Sequence, residues 1–127
     1  MRLSRQLMLA AAVVGALAVS SVALASGSVV GTYSTTIETP SQLKGKWVLT
    51  LAKGGTYRVS LNGVALARGT YTATAGTITL REPNGCGGTG TYAWRRSGKT
   101  MSFTRKREAS SCQTRAAVLA HRFTQVR

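Results

Sequence analysis

The sequence predicts an all-β domain: a small antiparallel up-and-down barrel of about eight strands, with one short helix before the last strand. Three observations carry this. From residue 28 onward apolar residues recur with a period of two, Gly- and Asn-rich turn dipeptides interrupt the runs, and the 127 residues have the length of one domain. Connections this short favour antiparallel neighbours joined in chain order, and a sequential meander must either close or leave two exposed edges. Closure into an up-and-down barrel accommodates short sequential strands best, with a two-sheet sandwich as the alternative.

The first element is an address. Arg2 and Arg5 precede the apolar run Leu7 to Val19, and Ala23-Leu24-Ala25 forms a small-residue cleavage box, the order of a secretory signal peptide cut near Ala25. The apolar run is shorter than the ~20 residues that span a bilayer. Residues 26–127 are then expected to form one secreted, extracytoplasmic barrel domain, monomeric and without a transmembrane segment after processing.

Strands follow. The first is expected near Val29 to Glu38. Trp47, Leu49 and Leu51 alternate with polar or outward positions, as do Tyr57, Val59 and Leu61, then Tyr71 and Ala73, Ile78 and Leu80, Tyr92 and Trp94, and Met101 and Phe103. Each pattern buries one face. Gly54-Gly55, Asn62-Gly63, Gly76, Pro83-Asn84-Gly85 and Ser97-Gly98 supply the turns between them. Ser110 to His121 breaks the period: Cys112, Arg115, Ala116 and Leu119 share a helical face, and Ser110 with Gln113 fits a capping box. The last strand is expected near His121 to Val126.

Composition narrows the chemistry. Seventeen basic residues oppose three acids, for a net charge of +14, and 18 of the first 25 residues are apolar against 37 of the remaining 102. Removing the signal peptide leaves +12 on the domain. Glu38, Glu82 and Glu108 are far apart in sequence and His121 is the single histidine, too few groups for the usual three or four metal ligands. The expectation is a non-enzyme with no metal and no cofactor. Cys86 and Cys112 are the only cysteines, and in an exported domain they are expected to pair. Closing that loop is worth about 3 to 4 kcal/mol in the chain-entropy model.

Gly-Thr-Tyr occurs four times, at residues 31–33, 55–57, 69–71 and 90–92, each at a predicted strand entry. The glycine permits the tight approach, the threonine faces water and the tyrosine sends its ring inward with its hydroxyl at the end of the core. Gly45-Lys46-Trp47 near the start of the meander resembles the Gly-x-Trp signature of the calycin superfamily, which holds the lipocalins, fatty-acid-binding proteins and avidins. Gly90-Thr91-Tyr92-Ala93-Trp94, then Gly98, Met101 and Phe103, Cys112-x-x-Arg115 and Phe123 are similar to small secreted lipocalin-like proteins of actinobacteria. That resemblance implies a barrel whose signature tryptophan closes one end under a basic side chain. Trp47 matches the first, and Arg115 is the better match for the second, with Arg122 the alternative. The chain departs from the larger lipocalins in being shorter, in lacking a Thr-Asp-Tyr motif and in placing a helix before its last strand.

Two surfaces are candidate sites. The inward aromatics Trp47, Tyr57, Tyr71, Tyr92, Trp94 and Phe103 either line a pocket for a small hydrophobic or amphipathic ligand or simply pack the core, which a domain of this size needs. Arg95, Arg96, Lys99, Arg105, Lys106 and Arg107 are expected to form a cationic band that binds an anionic envelope polymer or lipid head groups, or only a solvated surface that protects edge strands. The glycines of residues 85–90 and Gly98-Lys99-Thr100 are read as turns and not phosphate loops, because the strand-to-helix context is missing. The function expected is a secreted non-catalytic binding protein. The alternative is a disulfide-pinned inhibitor or interaction protein presenting the Pro83 to Gly90 loop.

Overall fold

Each alternating run of the sequence becomes a strand in the computed structural model, which describes residues 28–127. The expected signal peptide lies outside the described residues. The strands are β1 Gly31–Ile37, β2 Gly45–Leu51, β3 Thr56–Leu61, β4 Val64–Ala73, β5 Thr77–Arg81, β6 Thr89–Ser97, β7 Thr100–Arg107 and β8 Phe123–Gln125, with helix α1 at Gln113–Leu119. They form a closed barrel in strictly sequential order. All pairs are antiparallel, and β8 completes the ring by pairing with both β7 and β1. Closure joins the two ends of the meander and so reduces its edge-pairing hazard, although β8 pairs with each neighbour over only two residues.

The inward set is the one the period-two phase selects, except at Ala73, which is exposed at the end of β4. Leu49, Leu51, Tyr57, Ile78, Leu80, Tyr92, Met101 and Phe103 are buried, and Tyr33, Ile37 and Phe123 complete the core from β1 and β8. Phe103 and Phe123 meet edge to face with centroids 6.0 Å apart. Among the described residues no helix is long and apolar enough to cross a membrane.

Three local details differ from the sequence expectation. Gly69-Thr70-Tyr71 lies within β4 and not at its start, because the residues after Asn62-Gly63 already pair with β3. Gly69 serves close packing instead: a Cβ there would stand 2.7 Å from the ring of Tyr57, its partner across the ladder. The capping box does not form, since Ser110–Cys112 makes a 3-10 turn first and the Gln113 side chain donates to the Ala109 carbonyl 3.1 Å away. The third is a bulge. The β3–β4 register shifts between Val59 and Ser60, so Val59 faces Ala67, Ser60 faces Ala65, and Leu66 is the extra residue. Leu66 is consequently 54% exposed.

Candidate functional site

Two of the three acids are inside. The alternation Ile78, Leu80, Glu82 carries the inward phase of β5 one step past the strand end, and Glu82 is 6% exposed. Glu108 follows β7, and its side chain is fully buried. Arg115, on the first turns of α1, lies between them. Its Nε donates to Glu108 Oε2 at 2.9 Å and its Nη2 to Glu108 Oε1 at 2.6 Å, a two-pronged pair. Nη2 also donates to the Gly88 carbonyl at 3.2 Å, while Nη1 donates to the Tyr57 hydroxyl at 3.3 Å and lies 3.7 Å from Glu82 Oε1. The Tyr57 hydroxyl donates to Glu82 and the Tyr92 hydroxyl to Glu108. Thus the four Gly-Thr-Tyr tyrosines all place their hydroxyls on partners, Tyr33 and Tyr71 using the carbonyls of Val29 and Ala52 at 2.6 Å each.

The titrations follow from this packing. Burial alone would raise the Glu108 carboxyl, but hydrogen bonds from Arg115, Tyr92 and the Ala109 N–H, with the Arg115 charge, hold it below the usual carboxylate range. Burial would likewise lower Arg115, yet its bonds to Glu108 and Tyr57 hold the guanidinium more firmly protonated. Tyr57 and Tyr92 are pushed up, first by burial and then by their glutamate partners.

The Cys86–Cys112 disulfide ties the loop after β5 to the turn before α1, across 26 positions of sequence. Glycines let these parts approach: a Cβ at Gly88 would stand 3.0 Å from Cys112 Sγ, and one at Gly90 would stand 2.6 Å from Glu108 Oε1. The run from Gly85 to Gly90 therefore cradles carboxyl groups and sulfur, opposite in sign to a phosphate loop. A disulfide of this kind fits an extracytoplasmic location.

Beside the network is a cavity of about 240 Å³. Trp47, Leu49, Val59, Leu80, Val118 and Leu119 supply apolar wall, Leu66 and Ala67 stand at the β3–β4 side, and Tyr57, Glu82, Arg115 and the disulfide form the polar end. The barrel is therefore partly hollow. Of the six aromatics singled out in sequence, Trp47 and Tyr57 line this space. Tyr71, Tyr92 and Phe103 are buried in the core, and Trp94 packs against it half-buried, its indole N–H donating to the Thr74 carbonyl at 3.0 Å.

Trp47 and Arg115 share the cavity wall, but each has its own partner: the Trp47 indole N–H donates to the Leu43 carbonyl at 2.7 Å, and Arg115 is taken by Glu108. Arg122, the alternative, is exposed. Within the cationic group, Arg95, Lys99, Arg105, Lys106 and Arg107 are exposed, whereas Arg96 folds back over the Tyr33 ring, 5.7 Å from its centroid, and donates to the Ser28 carbonyl at 2.6 Å. Sequence reasoning did not join Glu82, Glu108 and Arg115. The inward phase of Glu82 was the available signal. His121 places Nδ1 3.1 Å from the Ala117 carbonyl, outside the cavity lining. Among the described residues no three His, Cys, Asp or Glu side chains gather as metal ligands would.

No family model, curated protein or solved structure matches the chain. What the geometry defines is a class: an eight-stranded antiparallel barrel, consistent with a lipocalin-like fold, braced at one end by a helix, a disulfide and a buried ionic network.

Proposed function

We propose that this is a secreted, non-catalytic binding protein of lipocalin-like type, which takes one small apolar or amphipathic molecule into the cavity beside α1. The observation that supports this reading is the space itself. At about 240 Å³ it exceeds the roughly 150 Å³ of an apolar cavity able to hold benzene, and it has room for about eight non-hydrogen atoms. Its wall is mostly apolar with polar groups gathered at one end, the pattern of a small-molecule site. Val64 and Leu66, exposed at 62% and 54%, extend the apolar surface outward from the β3–β4 side.

Trp47 provides the readout, since Trp94→Phe leaves it as the one tryptophan. Titrating that variant with 1-hexanol should shift Trp47 emission saturably, with a dissociation constant of about millimolar or tighter for so few atoms. Val59→Phe, which fills the cavity, should abolish the response while the barrel still melts cooperatively. An unsaturable, linear response in both proteins would remove the reading. Native mass spectrometry of protein from its own host identifies the physiological occupant.

A second reading is favoured by the charge partition. With Arg115 paired inside, thirteen lysines and arginines among the described residues are exposed against one exposed acid, Glu38. Arg58 and Arg68 stand directly opposite one another on β3 and β4, an arrangement that costs stability unless an anion relieves it. The barrel exterior is thereby suited to an anionic envelope polymer, with Arg95, Arg105, Lys106 and Arg107 as a further cluster. Retention on heparin or wall polymer should weaken steeply with salt, and Arg58→Gln with Arg68→Gln should flatten that dependence by about two contacts. Salt-independent retention would overturn it.

A further inference from the structure

Resting on the cavity reading above, we infer that the cavity selects a molecule whose polar head is a hydrogen-bond donor, an amine or an alcohol, and rejects the matching carboxylate. The strongly basic chain suggests the reverse. What decides the matter is how the polar end of the cavity is already bonded.

Among the described residues Arg115 is the one cationic side chain in the cavity wall, and four of its five N–H donors are hydrogen-bonded within the protein. Nε and Nη2 hold Glu108, Nη2 also holds the Gly88 carbonyl, and Nη1 is shared between the Tyr57 hydroxyl and Glu82. A guanidinium has five N–H groups in a fixed plane. Four meet acceptors of the protein, and the fifth, on Nη1, lies beside the Glu82 carboxylate at 3.7 Å, so an incoming carboxylate would have to compete with Glu82 for it. The Tyr57 hydroxyl, the donor beside it, is given to Glu82.

The acceptor side has capacity to spare. Glu82 lines the cavity and receives Tyr57 on Oε1, while its Oε2 has a long 3.4 Å contact from the Cys86 N–H. A carboxylate offers about four lone-pair sites. Formally, two glutamates surround one arginine, an excess of one negative charge at the polar end. A ligand carboxylate would meet this excess with at most one N–H, already beside Glu82, to compensate its desolvation. An ammonium or hydroxyl would meet the open lone pairs of Glu82. The outer cations act only through solvent and are screened by salt, whereas the enclosed groups act at contact distance.

The test is a matched series of six-carbon probes, 1-hexylamine, 1-hexanol and hexanoate, titrated into the Trp94→Phe protein in about 0.5 M salt, where the exterior charge is screened to within a few ångströms. Hexylamine should bind at least about tenfold more tightly than hexanoate, a difference of about 1.4 kcal/mol, with hexanol between them. Glu82→Gln keeps the shape and the acceptor for Tyr57 but removes the charge, and it should bring hexylamine down to the level of hexanol while hexanol binding persists. Tighter binding of hexanoate than of hexylamine overturns the inference and leaves the cavity reading intact, as does an amine preference unchanged by Glu82→Gln. Failure of all three probes, hexanol included, overturns the cavity reading and this inference with it.

Discussion

Arg115→Met is expected to destabilise the barrel by about 3 to 5 kcal/mol, because it leaves Glu82 and Glu108 buried without their cation. For a domain of this size that lowers Tm by more than about 10 °C. The loss should be conditional. Adding Glu108→Gln to Arg115→Met should cost far less than Glu108→Gln alone, because the charge it would strand is already gone. Arg115→Lys should fall between, since an ammonium cannot make the two-pronged contact that Nε and Nη2 make with Glu108. Urea unfolding of the four proteins measures this cycle, and additive losses would refute the network as a unit.

The same network sets the acid limit. Glu108 has a lowered carboxyl in the folded state, so its contribution is complete above the ordinary glutamate value of about 4.3 and is lost as pH falls through the lower folded value. Wild-type stability should therefore decline from about pH 4 downward, and Glu108→Gln should decline less over that window. At the alkaline end the sign reverses. Tyr33, Tyr57, Tyr71 and Tyr92 are all raised, chiefly by burial, so stability is retained up to the ordinary tyrosine value near 10.0 and lost above it.

Reducing the Cys86–Cys112 bridge, or replacing both cysteines by serine, is expected to cost about 3 to 4 kcal/mol from the closed loop of 26 positions. The effect should also be local. The bridge joins the loop after β5 to the entry of α1, while β1 to β3 are held by their own ladders. Amide exchange of the reduced protein should accelerate through residues 83–90 and 110–119 well before it does in β1 to β3. Because both cysteines line the cavity, the Trp47 response to hexanol should weaken in parallel. Uniform acceleration across the barrel would instead mark the bridge as a global staple.

Much of this was legible in the chain. Trp47, Leu49 and Leu51 announce β2 because a pleated strand alternates its faces whatever surrounds it. Turn chemistry at Asn62-Gly63 likewise needs no tertiary partner, and Asn62 adopts φ 52°, the left-handed region in which asparagine is tolerated. Cysteine parity gave the disulfide. The start of β4 was harder to read, because Val64, Ala65 and Leu66 pass through a bulge that breaks the alternation.

The ionic network was not legible for a different reason. Arg115 reaches Tyr57 across 58 positions and Tyr57 reaches Glu82 across 25, and no local period encodes such separations. Glu108 lies only seven residues before Arg115, yet the intervening 3-10 turn removes the helical spacing that would have linked them.

By itself, then, the sequence determined the period-two phase, the turn positions, the cysteine pairing and the excess of positive charge, all of which depend on neighbours along the chain or on counting. Tertiary structure alone decided where that charge resides. Closing the ring drew Glu82 and Glu108 inside around Arg115 and left Glu38 as the one exposed acid among the described residues, against many exposed lysines and arginines. It also left a partly hollow interior, because cavity volume is a small difference between the space the closed sheet encloses and the summed side chains that fill it.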